Sequence, residues 1–454
     1  MNPLPASTIA EILGTQVAAG DPSALVTAGV STDTRNLPVG SAFFALRGEN
    51  FDGGLFAASA LESRATVAIV HEWTGGTPPS GAVIVVPDTL TALQQLACWW
   101  RRQLDIPVVA ITGSNGKTST KDFTTAVLSR KFNVSATKRN LNNHIGLPLM
   151  VLRTTPEHTA AVWEMGMNHS GEIAPLCQIA RPRYGIITNV GTAHIEFLGS
   201  RDAIADEKGT LARALPADGI LFAPATCDYY QYFRDRTKAQ IIPVGNGRGL
   251  VRAENPKFSA DGTEFSLVIE GEGRTQVNLS VPGKHMVTNA LLAAAVGWKL
   301  GVPLDEIAAG LSSSALTSGR LNRYVCNGVT IIDDTYNANP ESMAAAIDTL
   351  ADMPVTDDAR RFIVLGRMGE LGGHGPAAHI RTGELAAKRG LRVIAAGEGA
   401  EGIAQGAGDA PYFADLADAA AHAAAMAKPG DLFLFKGSRT ATIEKVMNSA
   451  FPRN

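Results

Sequence analysis

The chain reads as an α/β protein of three domains: a small α/β N-terminal domain, a central P-loop mononucleotide-binding domain with a mostly parallel sheet, and a C-terminal Rossmann-like α/β domain. Three observations predict this. At 454 residues the chain is too long for one core, and at about 150 residues per domain it has room for about three. Short apolar runs alternate with helical patterns through the middle and last parts, as parallel sheets require. The run Val108-Val109-Ala110-Ile111-Thr112-Gly113-Ser114-Asn115-Gly116-Lys117-Thr118-Ser119-Thr120 joins an apolar strand, a glycine-punctuated turn and a helix start, the makings of a cradle for nucleoside triphosphate.

The first domain, 1–85, combines strands at 42–46, 67–70 and 83–86 with a helix over 55–63. Residues 91–104 place Leu93, Leu96, Ala97 and Trp100 at helical spacing, and this connector helix stops before Pro107. The central domain, 86–315, continues with strands at 160–163 and 184–190, while 263–270 and 275–281 alternate as an antiparallel hairpin would. Gly319-Arg320 precedes a further set of strands at 329–333, 361–365, 391–396 and 431–435, so the last domain spans 316–454. The alanine-rich stretch 416–428 is a good helix former, closed by Pro429-Gly430.

Within the cradle, Gly113 and Gly116 let the backbone of Ser114 and Asn115 approach a polyphosphate. Lys117 then reaches the β- and γ-phosphates, and Thr118, followed by Ser119, ligates Mg²⁺ at the helix start. The helix is supported by Phe123, Val127, Leu128 and Phe132 on one face. Ile111 occupies the position where the longer G-x-x-x-x-G-K-[ST] pattern has its first glycine, so this is a short G-x-x-G-K-T form.

Three other places could carry chemistry. Glu164 follows the apolar run 160–163, and a carboxylate at the carboxyl end of a parallel strand sits where open α/β sheets bind ligands and could hold Mg²⁺. His194 comes just past the strand 184–190; a lone histidine there is either structural or a metal or catalytic group. Lys208, in Asp206-Glu207-Lys208, reads as a solvated lysine on a charged helix. In Thr330-Ile331-Ile332-Asp333-Asp334-Thr335-Tyr336-Asn337-Ala338-Asn339-Pro340, two Asp end a buried strand before a Pro turn, a cluster able to hold an amine or a ribose, although capping of the helix that follows explains part of it.

Composition excludes other classes. Net charge is −3 and no Lys/Arg run is interleaved with aromatics, which argues against nucleic acid as a partner. No apolar run reaches membrane-spanning length and the N-terminus lacks a secretory pattern, so a cytoplasmic protein without membrane insertion is expected. Cys98, Cys177, Cys227 and Cys326 are scattered, as small core residues in a reducing compartment would be. A GTPase would need an Asn-Lys-x-Asp signature, which is missing. A motor or kinase would have to use 331–334 as a Walker B strand some two hundred residues from the P-loop.

Over essentially its whole length the chain resembles the Mur ligase family, ATP-dependent acid–amine ligases of peptidoglycan synthesis. The family-level marks are the P-loop Thr112 to Thr118, Glu164-Met165-Gly166, Thr188-Asn189-Val190-Gly191-x-x-His194, Asn289 after His285, Arg320 and Asp334. Further matching segments are Ser31-Thr32-Asp33-Thr34-Arg35, Phe43-Phe44-Ala45-Leu46-x-Gly48, Asn140-x-Asn142-Asn143-x-x-Gly146, Asp334-x-Tyr336-Asn337-Ala338-Asn339-Pro340-x-Ser342, Leu365-Gly366-x-Met368-x-Glu370-Leu371-Gly372 and Lys436-Gly437-Ser438-Arg439. One departure stands out. An Asp-Gly-His pattern of the first domain is here Asp52-Gly53-Gly54, which removes from position 54 a contact near the nucleotide-sugar substrate.

The resemblance implies that ATP phosphorylates the terminal carboxylate of a UDP-N-acetylmuramoyl-tripeptide and that the amine of D-alanyl-D-alanine attacks the acyl phosphate. It implies that Lys117, Thr118 with Mg²⁺, and Glu164 as a ligand of that ion hold the β- and γ-phosphates of ATP, that His194 holds a second Mg²⁺ beside the acyl carboxylate, and that Lys208 stands at the position of a lysine that can be carbamylated into a carboxylate ligand. Asn289, Arg320 and Asp334 would contact the nucleotide, the last two reaching in from the third domain, which would close over ATP. Ser31, Thr32, Asp33 and Arg35 would face the uridine diphosphate, and Asn142 and Asn143 the peptide-sugar. Asn337, Asn339, Lys436, Ser438 and Arg439 would face substrate in the last domain, where the dipeptide enters, and a monomer is expected. Related members are set apart by an Asp-Asn-Pro-Arg motif that this chain lacks, or by having no such first domain, as in folylpolyglutamate synthase.

Overall fold

The computed structural model of the protein describes residues 1–78, 80–245, 249–356 and 358–453. The chain packs as two compact units, Met1–Ala110 with Phe132–Met167 and Gly171–Tyr184 in the first, and Ile111–Lys131 with Asn168–Ser170 and Gly185–Asn454 in the second. The P-loop strand Val108–Thr112 gives its first three residues to the first unit and its last two to the second.

In the first unit, a five-stranded sheet runs in the order Val17–Gly20, Ala82–Val85, Ala65–Val70, Ser41–Phe44, Val30–Ser31. The last four strands are parallel and the first is antiparallel. Leu37, Phe43, Leu61 and Val83 share the core beneath the sheet with Ala57 and Ala60 of the helix Ala57–Ser63. That helix starts two residues later than its periodicity suggests, because Asp52 caps a 3₁₀ turn over Gly53–Phe56 first. The connector helix runs over Thr89–Arg102, capped by Asp88, which accepts from the Thr91 N–H at 2.6 Å. Its far end is tied down by Trp100, whose indole donates to Thr154 O at 2.8 Å, and by the buried Arg101 guanidinium on Ala180 O at 2.8 Å. Elsewhere in this unit Val134–Ala136 pairs in parallel with Ala160–Glu164.

In the second unit the helix Lys117–Leu128 follows the P-loop, and Ile220–Pro224 and Gln240–Val244 form a parallel pair. The antiparallel hairpin falls at Gly262–Ile269 and Gly273–Leu279, and a third strand, Val251–Ser259, joins it. Sequence patterning misses that strand because Asn255, at φ +51, and Pro256 break its alternation, and the register shifts between Glu254 and Lys257. A six-stranded sheet runs in the order Asn322–Cys326, Val329–Asp333, Leu432–Lys436, Arg361–Leu365, Arg392–Ala396, Tyr412–Phe413. Only its first strand is antiparallel, closed by a two-residue Asn327-Gly328 turn with both residues at positive φ. Stacked Phe362 and Phe433, with ring centroids 4.4 Å apart, lie in the core of this sheet beside Phe435 and Phe451. The carboxyl ends of the parallel strands place Asp334, Lys436 and residues 366–370 on one rim. Among the described residues no helix is long and apolar enough to cross a membrane.

Candidate functional site

The P-loop adopts the conformation its glycines allow. Gly113 has φ +147 and Gly116 φ +79. A Cβ on Gly113 would lie 1.9 Å from Thr188 Oγ1, and one on Gly116 would lie 2.7 Å from Asn289 Oδ1, so both positions must stay bare for the loop to form. Lys117 lies back along the turn, its ammonium donating to Gly113 O at 2.8 Å. Thr118 and Ser119 are buried in the first turn of the helix, whose N-terminus opens from the loop.

The segment after the strand Tyr184–Ile187 staples this cradle, which is why the strand ends before the expected residue 190. Thr188 Oγ1 donates to Asn115 O at 2.5 Å, Asn189 Oδ1 accepts the Asn115 N–H at 2.9 Å, and Gly191 N–H donates to Ser114 Oγ at 2.8 Å. Asn289, buried on the helix Lys284–Lys299, closes the other side of Gly116. The backbone then turns at His194, whose φ of +66 caps the short helix Ile195–Leu198.

The six-stranded sheet reaches the same loop. Asn339 caps the helix Pro340–Asp352 in a capping box with Ser342, and its amide donates to Asn115 Oδ1 at 2.7 Å. Glu341, one residue into that helix, accepts the Thr192 N–H at 2.8 Å and the Thr192 hydroxyl at 3.2 Å. Glu370 Oε2 stands 2.5 Å from His194 Nδ1. The imidazole, with His169 and Lys117 also near, holds the Glu370 carboxyl below its usual range.

On the rim, Lys436 is almost wholly buried and donates to Asp334 Oδ2 at 2.6 Å and Asn337 O at 2.9 Å. Burial pushes its ammonium down, while Asp334 pulls it back. The guanidinium of Arg320 lies 4.2 Å over the Tyr336 ring. Ser438 is buried beside Thr440, and Arg439 is exposed and paired with Glu444.

Lys208 contradicts the expectation of a solvated lysine. On the helix Arg201–Ala214 its side chain is 1% exposed, and burial with the nearby Lys117 charge pushes its ammonium well below the ordinary lysine range, against Glu207.

In the first unit, Glu164 ends its strand fully buried, its N–H donating to Thr137 Oγ1 at 2.9 Å and its carboxylate 3.5 Å from the Asn142 amide. Asn143 Oδ1 caps the helix Gly146–Arg153 by accepting the Gly146 N–H at 2.8 Å. Ser31 ends its strand, followed by Thr32. Asp33 caps the turn Thr34–Asn36 and pairs with Arg35 at 2.8 Å, which draws its carboxyl down to about 2. Sequence reasoning gave no role to Glu341 and none to Glu370, although the latter lies in a quoted motif. Their partners are far off in the chain.

Residues 111–297 match the model of the Mur ligase middle domain, and residues 319–439 that of the Mur ligase, glutamate ligase domain. The UDP-N-acetylmuramoyl-tripeptide–D-alanyl-D-alanine ligase of Escherichia coli K12 is 37% identical over 92% of this chain and 93% of its own length. The enzyme of the same name from Bacillus subtilis 168 is 37% identical over 92% of each. Among solved structures, MurF from Acinetobacter baumannii superposes with a TM-score of 0.91 at 33% identity, covering 100% of both chains. MurF from Thermotoga maritima in complex with ADP gives 0.83 at 28% identity, covering 93% of this chain and 96% of that one. The chain belongs to the Mur ligase family, among its UDP-N-acetylmuramoyl-tripeptide–D-alanyl-D-alanine ligases.

Proposed function

We infer that this chain joins D-alanyl-D-alanine to UDP-N-acetylmuramoyl-tripeptide at the expense of ATP, giving the pentapeptide precursor of peptidoglycan, ADP and phosphate. The observation that carries this reading is the second sheet's hold on the phosphate cradle through Asn339 on Asn115 and Glu341 on Thr192. A P-loop covered in this way keeps water from the γ-phosphate and can bring in an acceptor.

A carboxylate is a poor electrophile. Its oxygen attacks the γ-phosphorus, the bond to the β-phosphate oxygen breaks, and ADP leaves an acyl phosphate. The dipeptide amine then adds to the acyl carbon, loses a proton, and the tetrahedral intermediate expels phosphate. The protein's main task is to neutralise charge between two anions. The backbone N–H groups of Gly113 and Gly116 and the Lys117 ammonium serve the phosphates, and Asn289, Arg320 and Asp334 the nucleoside. Lys436 acts here by fixing Asp334 inside the rim, a role that leaves dipeptide contact to Asn337, Ser438 and Arg439.

Mg²⁺ fits the site. The Thr118 hydroxyl and the Glu164 carboxylate are oxygen donors, and oxygen donors together with phosphates and water are the usual Mg²⁺ shell. Thr118 would hold the ion at the β- and γ-phosphates and His194 a second one, with Lys208 if carbamylated, and Glu164 keeps the ligand role its strand-end position suggests. Bound there, the ion supplies positive charge to the transferring phosphoryl group. Glu370 on Nδ1 orients His194 so that Nε2 is the nitrogen left for a ligand. Glu370→Gln should therefore raise the Mg²⁺ concentration needed for half-maximal rate by about tenfold or more while leaving ADP affinity unchanged; an unchanged Mg²⁺ titration removes that role.

The test of the whole reading is phosphate release with each substrate omitted in turn. Release should require both the UDP-muramoyl tripeptide and D-alanyl-D-alanine, and sustained release with ATP alone would contradict it.

A further inference from the structure

The first unit holds a cluster in which His71, outside every quoted motif, meets Asp52 and Arg47. In its five-stranded sheet the registers Ser31↔Phe43, Phe44↔Ile69 and Val70↔Val85 bring the carboxyl ends of four parallel strands to one rim. Ser31-Thr32, Ala45-Leu46 and His71 follow directly on those ends, where parallel sheets receive ligands. The small hairpin of Arg47–Gly48 with Phe51–Asp52 turns back onto this rim, held by the Gly53 N–H on Leu46 O at 2.9 Å.

Within the cluster, Asp52 Oδ2 stands 3.7 Å from His71 Nε2 and 3.8 Å from Arg47 Nε, while its other oxygen accepts the Gly54 N–H at 2.8 Å. Among the described residues the buried His71 Nδ1 has no hydrogen-bond partner, and the side chain as a whole is 21% exposed. Phe51 and Phe56 stack beside the cluster at 5.8 Å between centroids, both exposed, with Leu55 at 81% exposure next to them. An aromatic face beside an imidazole and a guanidinium has the chemistry to bind a nucleoside diphosphate. Position 54 explains why the imidazole can be there. A Cβ on Gly54 would stand 3.3 Å from His71 Cε1, so the ring lies in the space a side chain at 54 would enter.

We propose that His71 binds the diphosphate of the nucleotide-sugar substrate, set in place by Asp52 and by the absence of a side chain at Gly54. The donor comes from the end of the strand Ala65–Val70 instead of from the turn at 54. This deepens the expectation that Ser31, Thr32, Asp33 and Arg35 of the first domain, 1–85, face the uridine diphosphate, and rests on it.

The experiment measures UDP binding to the full-length protein by calorimetry, with ADP binding as the control for a folded P-loop. His71→Ala should weaken UDP about tenfold, the scale of one charge-assisted hydrogen bond, and leave ADP unchanged. It should raise KM for the UDP-muramoyl tripeptide without raising that for ATP. Gly54→His placed in the His71→Ala background has room for a ring and should recover part of the lost UDP affinity; His71→Gln, which keeps a donor, should lose less than His71→Ala. Unchanged UDP affinity in His71→Ala, while Ser31→Ala weakens it, overturns the proposal and leaves the domain reading standing. UDP binding indifferent to both overturns the two together.

Discussion

Lys117→Ala should abolish ligation, with kcat down by about a thousandfold or more. One oriented donor at a developing charge is worth a hundred- to a thousandfold, and an ammonium among phosphates stands at or above the top of that range. The wild-type lysine already lies along the loop, its Nζ 2.8 Å from Gly113 O, so it needs only a short swing to leave that carbonyl for a phosphate oxygen. The Gly113 and Gly116 backbone N–H groups remain in the variant, so ADP should still bind, more weakly, while turnover collapses. Steady-state phosphate release with an ADP titration alongside checks both halves. A near-normal rate would remove the P-loop from the chemistry.

Lys208→Ala should cost on the order of a hundredfold in rate, the scale for losing a group that supports a metal or a phosphate. The cause is charge placement. Lys208 is 1% exposed and feels the positive Lys117, and both burial and that repulsion disfavour its ammonium form. A neutral buried amine is a nucleophile for carbon dioxide. The nitrogen lone pair forms a bond to carbon, one proton is released, and the resulting carbamate places a negative charge where a positive one was unfavourable. The repulsion from Lys117 becomes an attraction, and the site gains a carboxylate-like donor for Mg²⁺. Added acetate or propionate should therefore restore part of the activity of Lys208→Ala. Wild-type protein exposed to ¹³C-labelled bicarbonate should show a carbamate resonance that this variant lacks. No rescue and no resonance would leave Lys208 a buried lysine with a structural role.

The cradle was legible because it is local. Two glycines, a lysine and a threonine sit within a few residues of a strand end, and the steric limits at Gly113 and Gly116 are properties of the backbone itself. The strands of the last sheet were legible for a similar reason, being short apolar runs bounded by turns, and 329–333 and 361–365 fall where the pattern puts them. Patterns fail where a contact is made across the chain. Asp206-Glu207-Lys208 looks like a solvated helical face, yet Glu207 and Lys208 are both buried. Lys436 gives no local sign of its partner Asp334, about a hundred residues earlier in the chain. Glu341 and Glu370 carry no local signal of their partners, Thr192 and His194, because the six-stranded sheet makes those meetings. Asn143 shows the converse: a capping role at Gly146 that spacing alone could have suggested.

The central claim is that the γ-phosphate of ATP passes to a carboxylate and not to water. The direct measurement uses UDP-muramoyl tripeptide carrying ¹⁸O in its terminal carboxylate, with ATP, Mg²⁺ and D-alanyl-D-alanine, and mass analysis of the phosphate released. One ¹⁸O atom should appear in each phosphate from fully labelled substrate, because the acyl oxygen leaves with phosphorus when the amine displaces it. Unlabelled phosphate formed alongside peptide product would contradict the acyl-phosphate route and the reading of the site built on it.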